Sequence, residues 1–478
     1  MSFSIATLIA LAACMFLVSR RRTDGLLAFF AMLPFGAAAA INLPAVGNAS
    51  IIMSDLVAMV MIGLVLTNGR YAYAVIDAMR VGRPAFYLGL ALLVALLVTI
   101  FAPRLLQGTM EVFGISRNSL IRGVTLVDLG PSSGNITQSI RLILGVLTFL
   151  SVVALFSRPL PDGLVVRGFA VATTVNIALG AADFFTYTVR APELLSFIRN
   201  ANYAILFDHV NTGLKRIIGG YPEASAYGYF TMGLFGFWLG YWVSGGRHRF
   251  GGLFVVLCLV AILLSGSSGT YVSMFALLGM VAVVLCMSVD WQRIPMRTVY
   301  TLLGTLALMP VVLCLFFLLM QTNDDFATYF NRLLFDKLDS QSGVERGSWN
   351  SHAFGNFLQS GLMGVGLGSL RTSSSAVALL SNIGIVGTIF YALFLAGLLF
   401  FPTPRQARPE TSAIVVGCRT ACIGLLLASL VTKATPDLEL PFYLYAGLLL
   451  AHRQLADRQG VEAKSFAYPS GAFASAAR

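Results

Sequence analysis

The sequence predicts an all-α, polytopic transmembrane helical bundle of about thirteen spans with large outward-facing loops, and three observations carry that reading. Charged residues make up only 11% of the 478-residue chain and apolar residues 57%, whereas a soluble domain carries about a quarter charged residues. Apolar stretches of about 20 residues, long enough to cross a hydrocarbon core, recur along nearly the whole length. The segments between them fall into two alternating sets that differ in charge.

In chain order the spans are expected at about 3–19, 25–42, 50–67, 85–102, 139–157, 168–186, 226–243, 251–265, 270–288, 299–320, 374–400, 412–431 and 440–452. The first precedes Arg20, Arg21 and Arg22. A signal peptide carries its positive charge ahead of its apolar run, so a retained span is expected. The eighth and last are short, and the last reads as either a span or a re-entrant segment. The chain divides into one integral membrane domain, 1–459, and an Ala/Ser/Gly-rich cytoplasmic tail, 460–478, expected to be disordered.

One set of connections holds the three N-terminal arginines, Arg80, Arg167, Arg249 and the tail from Arg453, and carries more than twice as many Lys/Arg as Asp/Glu. The opposite set is balanced. Essentially all of the +11 net charge therefore sits on one side, which the positive-inside rule assigns to the cytoplasm. The N-terminus is then outside and the C-terminus inside. Basic charge used this way is a topology signal, and without basic stripes carrying interleaved aromatics nucleic acid is not an expected partner. The long loops, about 103–138, 187–225 and 321–373, all fall outside, so function is expected on the outer face.

All six cysteines lie in apolar segments without disulfide or zinc-ligand spacing, and they read as small packing residues. Asp324 and Asp325 lack the further ligands a metal needs, so no metal and no cofactor is expected. Asp55 is an intramembrane acid close to the outer end of its span.

Two loop segments carry candidate chemistry. In RNANYAILFDHVNTGLKRIIGGYPEAS, Arg216 precedes the Gly219–Gly220 turn and Glu223 enters the next span. Glu223 is either a helix-entry charge or a carboxylate facing a polar cavity. In SGVERGSWNSHAFGNFLQSGLMGVGLGS, Arg346 and Trp349 stand one helical turn apart on an amphipathic segment. Arg346 is either a snorkelling anchor or a phosphate ligand, since guanidinium matches phosphate oxygens bidentately. His352 is a second candidate base. Lys215, Tyr221 and Trp349, the cationic and aromatic neighbours of these residues, are the expected substrate contacts, while Arg332 and Arg371 read as ordinary loop surface. The glycines at 361, 364, 366 and 368 lack a following Lys-Ser/Thr, so they read as allowing tight turns and close backbone approach.

Arg216 with GGYPEAS, the SGSSGT segment at 265–270, and ERGSW followed by GLMGVGLGS and NIGIVG together resemble the bacterial O-antigen polymerase and ligase superfamily (Wzy-like and WaaL-like proteins). The resemblance covers the topology of nearly the whole chain and loose motifs over a much smaller part. It implies a metal-independent, GT-C-like glycosyltransferase acting on undecaprenyl-diphosphate-linked glycans at the periplasmic face of the inner membrane. Its membrane partners would be the lipid-linked oligosaccharide and bilayer lipid, with a chain-length regulator as an optional partner. Arg216 and Arg346 fall where that family places its loop arginines. Two departures stand out: SGSSGT lacks the family's frequent arginine, and RTSSSA replaces the ligases' His-Asn pair. The second favours an O-antigen or exopolysaccharide polymerase over a ligase. The competing class is a lipid-linked oligosaccharide flippase or transporter, which predicts charges along the spans and an internal repeat; a non-catalytic assembly scaffold is a third reading.

Overall fold

The computed structural model describes residues 4–19, 24–43, 49–115, 124–157, 161–202, 210–211, 214–288, 318, 321–322, 341–400 and 408–467. They form a mostly helical membrane protein. Six helices are long and apolar enough to cross a bilayer: Pro84–Leu105 (α5), Ser133–Leu155 (α6), Asp162–Thr188 (α7), Ser268–Ser288 (α10), Ser375–Leu399 (α12) and Pro409–Thr432 (α13). A bent pair, Met53–Leu66 (α3) and Gly69–Ala78 (α4), adds a seventh if it is counted as one span, with a 99° bend between its halves. Ile5–Ser19 (α1) and Gly251–Ser265 (α9) are shorter apolar helices. About thirteen spans are therefore not confirmed, and the expected span at 299–320 lies almost wholly outside the described residues.

The helix Ala224–Val243 (α8) sits at the centre, buried at every residue from Tyr227 to Tyr241. A helix apolar all round belongs inside. Its glycines let it approach α13 closely: a Cβ on Gly236 would lie 2.8 Å from the Thr420 carbonyl oxygen. Buried polar contacts join it to α7, with Trp238 donating to the Thr173 hydroxyl at 2.8 Å and Asn176 to the Thr231 hydroxyl at 3.0 Å. Close backbone approach and interhelical hydrogen bonds are what hold helices together in lipid.

The structure departs from an uninterrupted all-α reading in three places. The apolar stretch 25–42 is not one span. It forms a helix only over Leu26–Met32 (α2), then breaks at Pro34 and continues into strand Ala39–Leu43 (β1), paired with Ala49–Ile52 (β2). Proline has no N–H to continue a helical ladder, and the freed backbone finds protein partners, with Ala37 donating to the Gly220 carbonyl at 2.8 Å. Two more antiparallel hairpins, Glu111–Ile115 with Val124–Asp128 (β3, β4) and Val210–Asn211 with Leu214–Lys215 (β5, β6), stand at the same end of the bundle. The last helix, Glu439–Ala467 (α14), extends past Gly460 into the expected tail; 468–478 lie outside the described residues.

The glycine-rich run follows helix Gln341–Gln359 (α11) and inserts against α12, which is broken at Gly384 (φ 70°, ψ −178°). Val365 and Gly366 donate to the carbonyls of Ser381 and Asn382 at 2.8 and 2.9 Å, and Ile385 donates to Leu362 at 2.9 Å. Gly361, Gly364, Gly366 and Gly368 all have positive φ. A Cβ on Gly368 would lie 2.3 Å from the Gly134 carbonyl oxygen, so tight turning and close approach are both at work.

Candidate functional site

The polar segments gather at one end of the bundle, where α7 and α9 end and α8 and α12 begin. Asp183, near the end of α7, organises one side. Its Oδ1 accepts from Arg199 Nη2 at 2.7 Å and faces Lys215 Nζ at 3.8 Å. Its Oδ2 accepts from the backbone N–H of Ile218 at 2.8 Å and of Gly219 at 3.3 Å. Arg199 also donates twice to the Gly219 carbonyl, from Nε at 3.1 Å and Nη2 at 2.6 Å. These three charged side chains are almost fully buried, and together they fix the turn that carries Arg216 on one side and Glu223 on the other.

Arg216 Nε donates to the Ser265 carbonyl at 3.2 Å, at the C-terminus of α9, where the helix dipole favours a cation. Gly266, left-handed at φ 59°, caps that helix. Glu223 is the residue that precedes α8, with extended backbone, and its carboxylate accepts from the Ser225 hydroxyl.

The other side comes from α11 and the loop after it. Arg371 lies with its guanidinium carbon 5.0 Å from the Trp349 ring centroid, a cation–π distance. Burial pulls the Arg371 guanidinium below its usual range; Glu223 opposes that shift and Arg346 adds to it. Glu223 and Arg346, from two distant segments, therefore both act on the charge of Arg371. Arg371 stays exposed to solvent while its guanidinium lies over the Trp349 ring. Its reading as loop surface leaves out this contact: α11 and the loop after it carry Trp349 and Arg371 to the same place.

A second tier of charge lies deeper. Lys433 pairs with Glu439 and sits 4.2 Å from the Tyr229 ring centroid, while the Tyr229 hydroxyl donates to Leu438 at 2.9 Å. Burial first, and the Glu439 carboxylate second, push the Asp437 carboxyl up to about 6, against the Arg141 guanidinium. Arg141 and Asp437 also act on Asp55. Glu439 has φ 65°, an uncommon left-handed conformation for a side chain of its size. Thr372, next to Arg371, donates to the Ala434 carbonyl at 3.1 Å and so ties the two tiers together.

No protein-family model and no curated protein matches the chain. The site stands on its geometry.

Of the residues singled out in the sequence, Trp349 contacts Arg371, and Glu223 and Arg346 lie within electrostatic reach of that same guanidinium. Arg216 is held nearby in sequence but against α9. Lys215 is buried under Asp183, 5.1 Å from the Tyr187 ring centroid, and serves the turn rather than an open surface. Tyr221 is buried, with its hydroxyl donating to Leu33 at 3.0 Å, and packs against Phe230. His352 Nε2 lies 3.0 Å from the Glu111 carbonyl, with its ring against Phe113, so it clamps α11 to β3. Asp324 and Asp325 lie outside the described residues. Among the described residues, no three His, Cys, Asp or Glu side chains are placed to hold a metal ion.

Arg141, Asp437, Glu439 and Lys433 escaped the sequence reading, and Arg371 was read there only as loop surface. Arg141 had a signal: it is a lone charge within an apolar helix, normally a functional flag.

Proposed function

We propose that the protein is an inner-membrane, metal-independent glycosyltransferase that polymerises undecaprenyl-diphosphate-linked repeat units into O-antigen or exopolysaccharide at the periplasmic face. About thirteen spans, an outside N-terminus and a cytoplasmic C-terminus belong to the same proposal. The observation that supports it is the placement of one carboxylate, Glu223, and two guanidinium groups, Arg346 and Arg371, within electrostatic reach at one end of the bundle, with Arg371 over the Trp349 ring.

That set suits glycosyl transfer. The acceptor hydroxyl oxygen forms a bond to the anomeric carbon while the bond from that carbon to the diphosphate oxygen breaks. The electron pair leaves with undecaprenyl diphosphate, and the hydroxyl proton passes to Glu223. Charge growing on the leaving diphosphate is met by fixed guanidiniums, which favour the transition state over the ground state. Arg216, held against the end of α9, is a further cation at this end of the bundle, and Trp349 offers a sugar face.

A transporter or flippase is the second reading, favoured by the broken α2, the break at Gly384 in α12 and Arg419 within α13. Incubating purified protein with a lipid-linked repeat unit separates the two. A product ladder that persists in excess chelator is expected. Transbilayer movement of the substrate without a ladder would establish the transporter instead, and a ladder lost to chelator and restored by magnesium or manganese would overturn metal independence.

A further inference from the structure

At the opposite end of the bundle, a groove of about 340 Å³ opens outward between α7 and the segment entering α9. Its walls are Val171, Thr174 and Val175 on one side and His248, Phe250 and Phe254 on the other. The volume is within the range of about 300–1,000 Å³ usual for a ligand pocket. Thr174 and Phe250 are exposed, so the groove opens away from the protein core, onto what a bilayer would supply.

Two guanidinium groups stand at its rim. Arg167 is exposed one helical turn before Val171, on the same face of α7, with its Nε donating to the Gly163 carbonyl at 3.2 Å and its two terminal nitrogens left to reach a headgroup. The Arg249 guanidinium carbon lies 4.4 Å from the ring centroid of Phe250, which itself lines the groove. The acid beside this region, Glu410, is engaged by the Tyr241 hydroxyl and by the Arg247 backbone N–H at 3.3 Å. Burial first, and Arg249 second, lower the affinity of His248 for a proton, with Glu410 opposing, so the imidazole is neutral at pH 7 and fits an apolar wall. An apolar trough rimmed by two cations complements an amphiphile with an acyl chain and an anionic head, and basic pockets between spans hold such lipids.

We propose that this groove is a binding site for an anionic phospholipid of the leaflet opposite the candidate active cleft, with one acyl chain in the trough and the phosphate between Arg167 and Arg249. It is independent of the proposed glycan chemistry.

The test is lipid retention on the intact, delipidated protein, read by native mass spectrometry with phosphatidylglycerol or phosphatidylcholine of identical acyl chains. The wild type should retain phosphatidylglycerol about 10- to 30-fold better, the preference two guanidinium groups give at about 1 kcal/mol each. R167Q combined with R249Q should abolish that preference. Thr174→Trp, which fills the exposed trough without touching either arginine, should lower retention of both lipids. Equal retention of the two lipids by the wild type would overturn the proposal. So would a preference lost equally in Arg70→Gln, an exposed cation elsewhere on this side, or retention unchanged by Thr174→Trp.

Discussion

Replacing Asp183 by asparagine tests whether the buried charge node governs the turn between Arg216 and Glu223. The carboxylate takes a 2.7 Å contact from Arg199, a 3.8 Å contact from Lys215 and two backbone N–H donors. Asparagine retains one oxygen, so it accepts from Arg199 or from the turn but not both, and it removes the negative charge from between two cations whose side chains are 1% and 4% exposed. Breaking a buried pair by removing one partner costs about 3–5 kcal/mol. Charged to local opening of this turn, that raises the open population by at least about 100-fold. Trypsin reads it directly, because cleavage after Lys215 or Arg216 tracks the open population when reclosing is fast. Asp183→Asn should therefore be cut there at least about 100-fold faster than wild type, while cleavage after Arg70 stays unchanged. Equal cleavage of variant and wild type after Lys215 and Arg216 would refute the reasoning, since the turn would then be held by its packing alone.

Three further outcomes are expected. Gly384→Ala puts a Cβ 2.2 Å from the Met363 carbonyl oxygen at φ 70°, so folded yield should collapse on size-exclusion chromatography, whereas Gly279→Ala, with open space around it, should be neutral. Arg346→Lys and Arg371→Lys should each slow polymerisation by about 30- to 1,000-fold, because one ammonium cannot span two diphosphate oxygens; Arg104→Lys should not. Asp437 has its carboxyl raised to about 6 by burial and Glu439, so between about 4 and 6 the folded state binds a proton that the unfolded state does not. Folding is thereby stabilised on acidification, and the protection of the amides around 433–438, corrected for the intrinsic pH dependence of exchange, should rise from pH 7 to pH 5, a change abolished in Asp437→Asn.

Composition made the helical membrane class legible, because apolar length alone requires it. The breaks were not. The stretches 25–42 and 374–400 carry no charge from end to end, and what interrupts them is a partner far away in sequence: Gly220 for Ala37, Leu362 for Ile385. Pro34 was a local signal for the first break, but NIGIVG carries none that sets Gly384 apart from a packing glycine. The same rule separates the site residues. Glu223 and Arg346 are candidates because each sits on a polar segment leading into a span. Lys215 looks identical by that criterion, yet the fold puts it beneath Asp183, and only the conformation of the turn decides between an open and a buried cation.

The depth of the charges bears on the choice between enzyme and transporter. Arg141 lies about 12 Å into α6 at 1.5 Å per residue, so polar groups reach well below the rim. Following the packed helices further from that end, a Cβ on Gly145 would meet the Tyr443 ring at 2.3 Å. Next come Phe149 and Phe394, both fully buried, with ring centroids 5.5 Å apart. Gly447 packs against the Phe149 carbonyl at this level. Only beyond them does Arg453 donate to the Gly397 carbonyl at 3.1 Å. An aromatic layer therefore stands between the Arg141–Asp437 tier and the arginines of the opposite end. A transporter must open that layer in each cycle, at the cost of exposing rings that pack edge to face. A glycosyltransferase has no need to, because its cleft has to reach one leaflet only, and the layer then serves as the floor of the cleft. Truncating Phe149 to alanine should cost a polymerase stability and leave its cleft-borne chemistry largely intact, whereas in a transporter the same change would alter the rate of transbilayer movement.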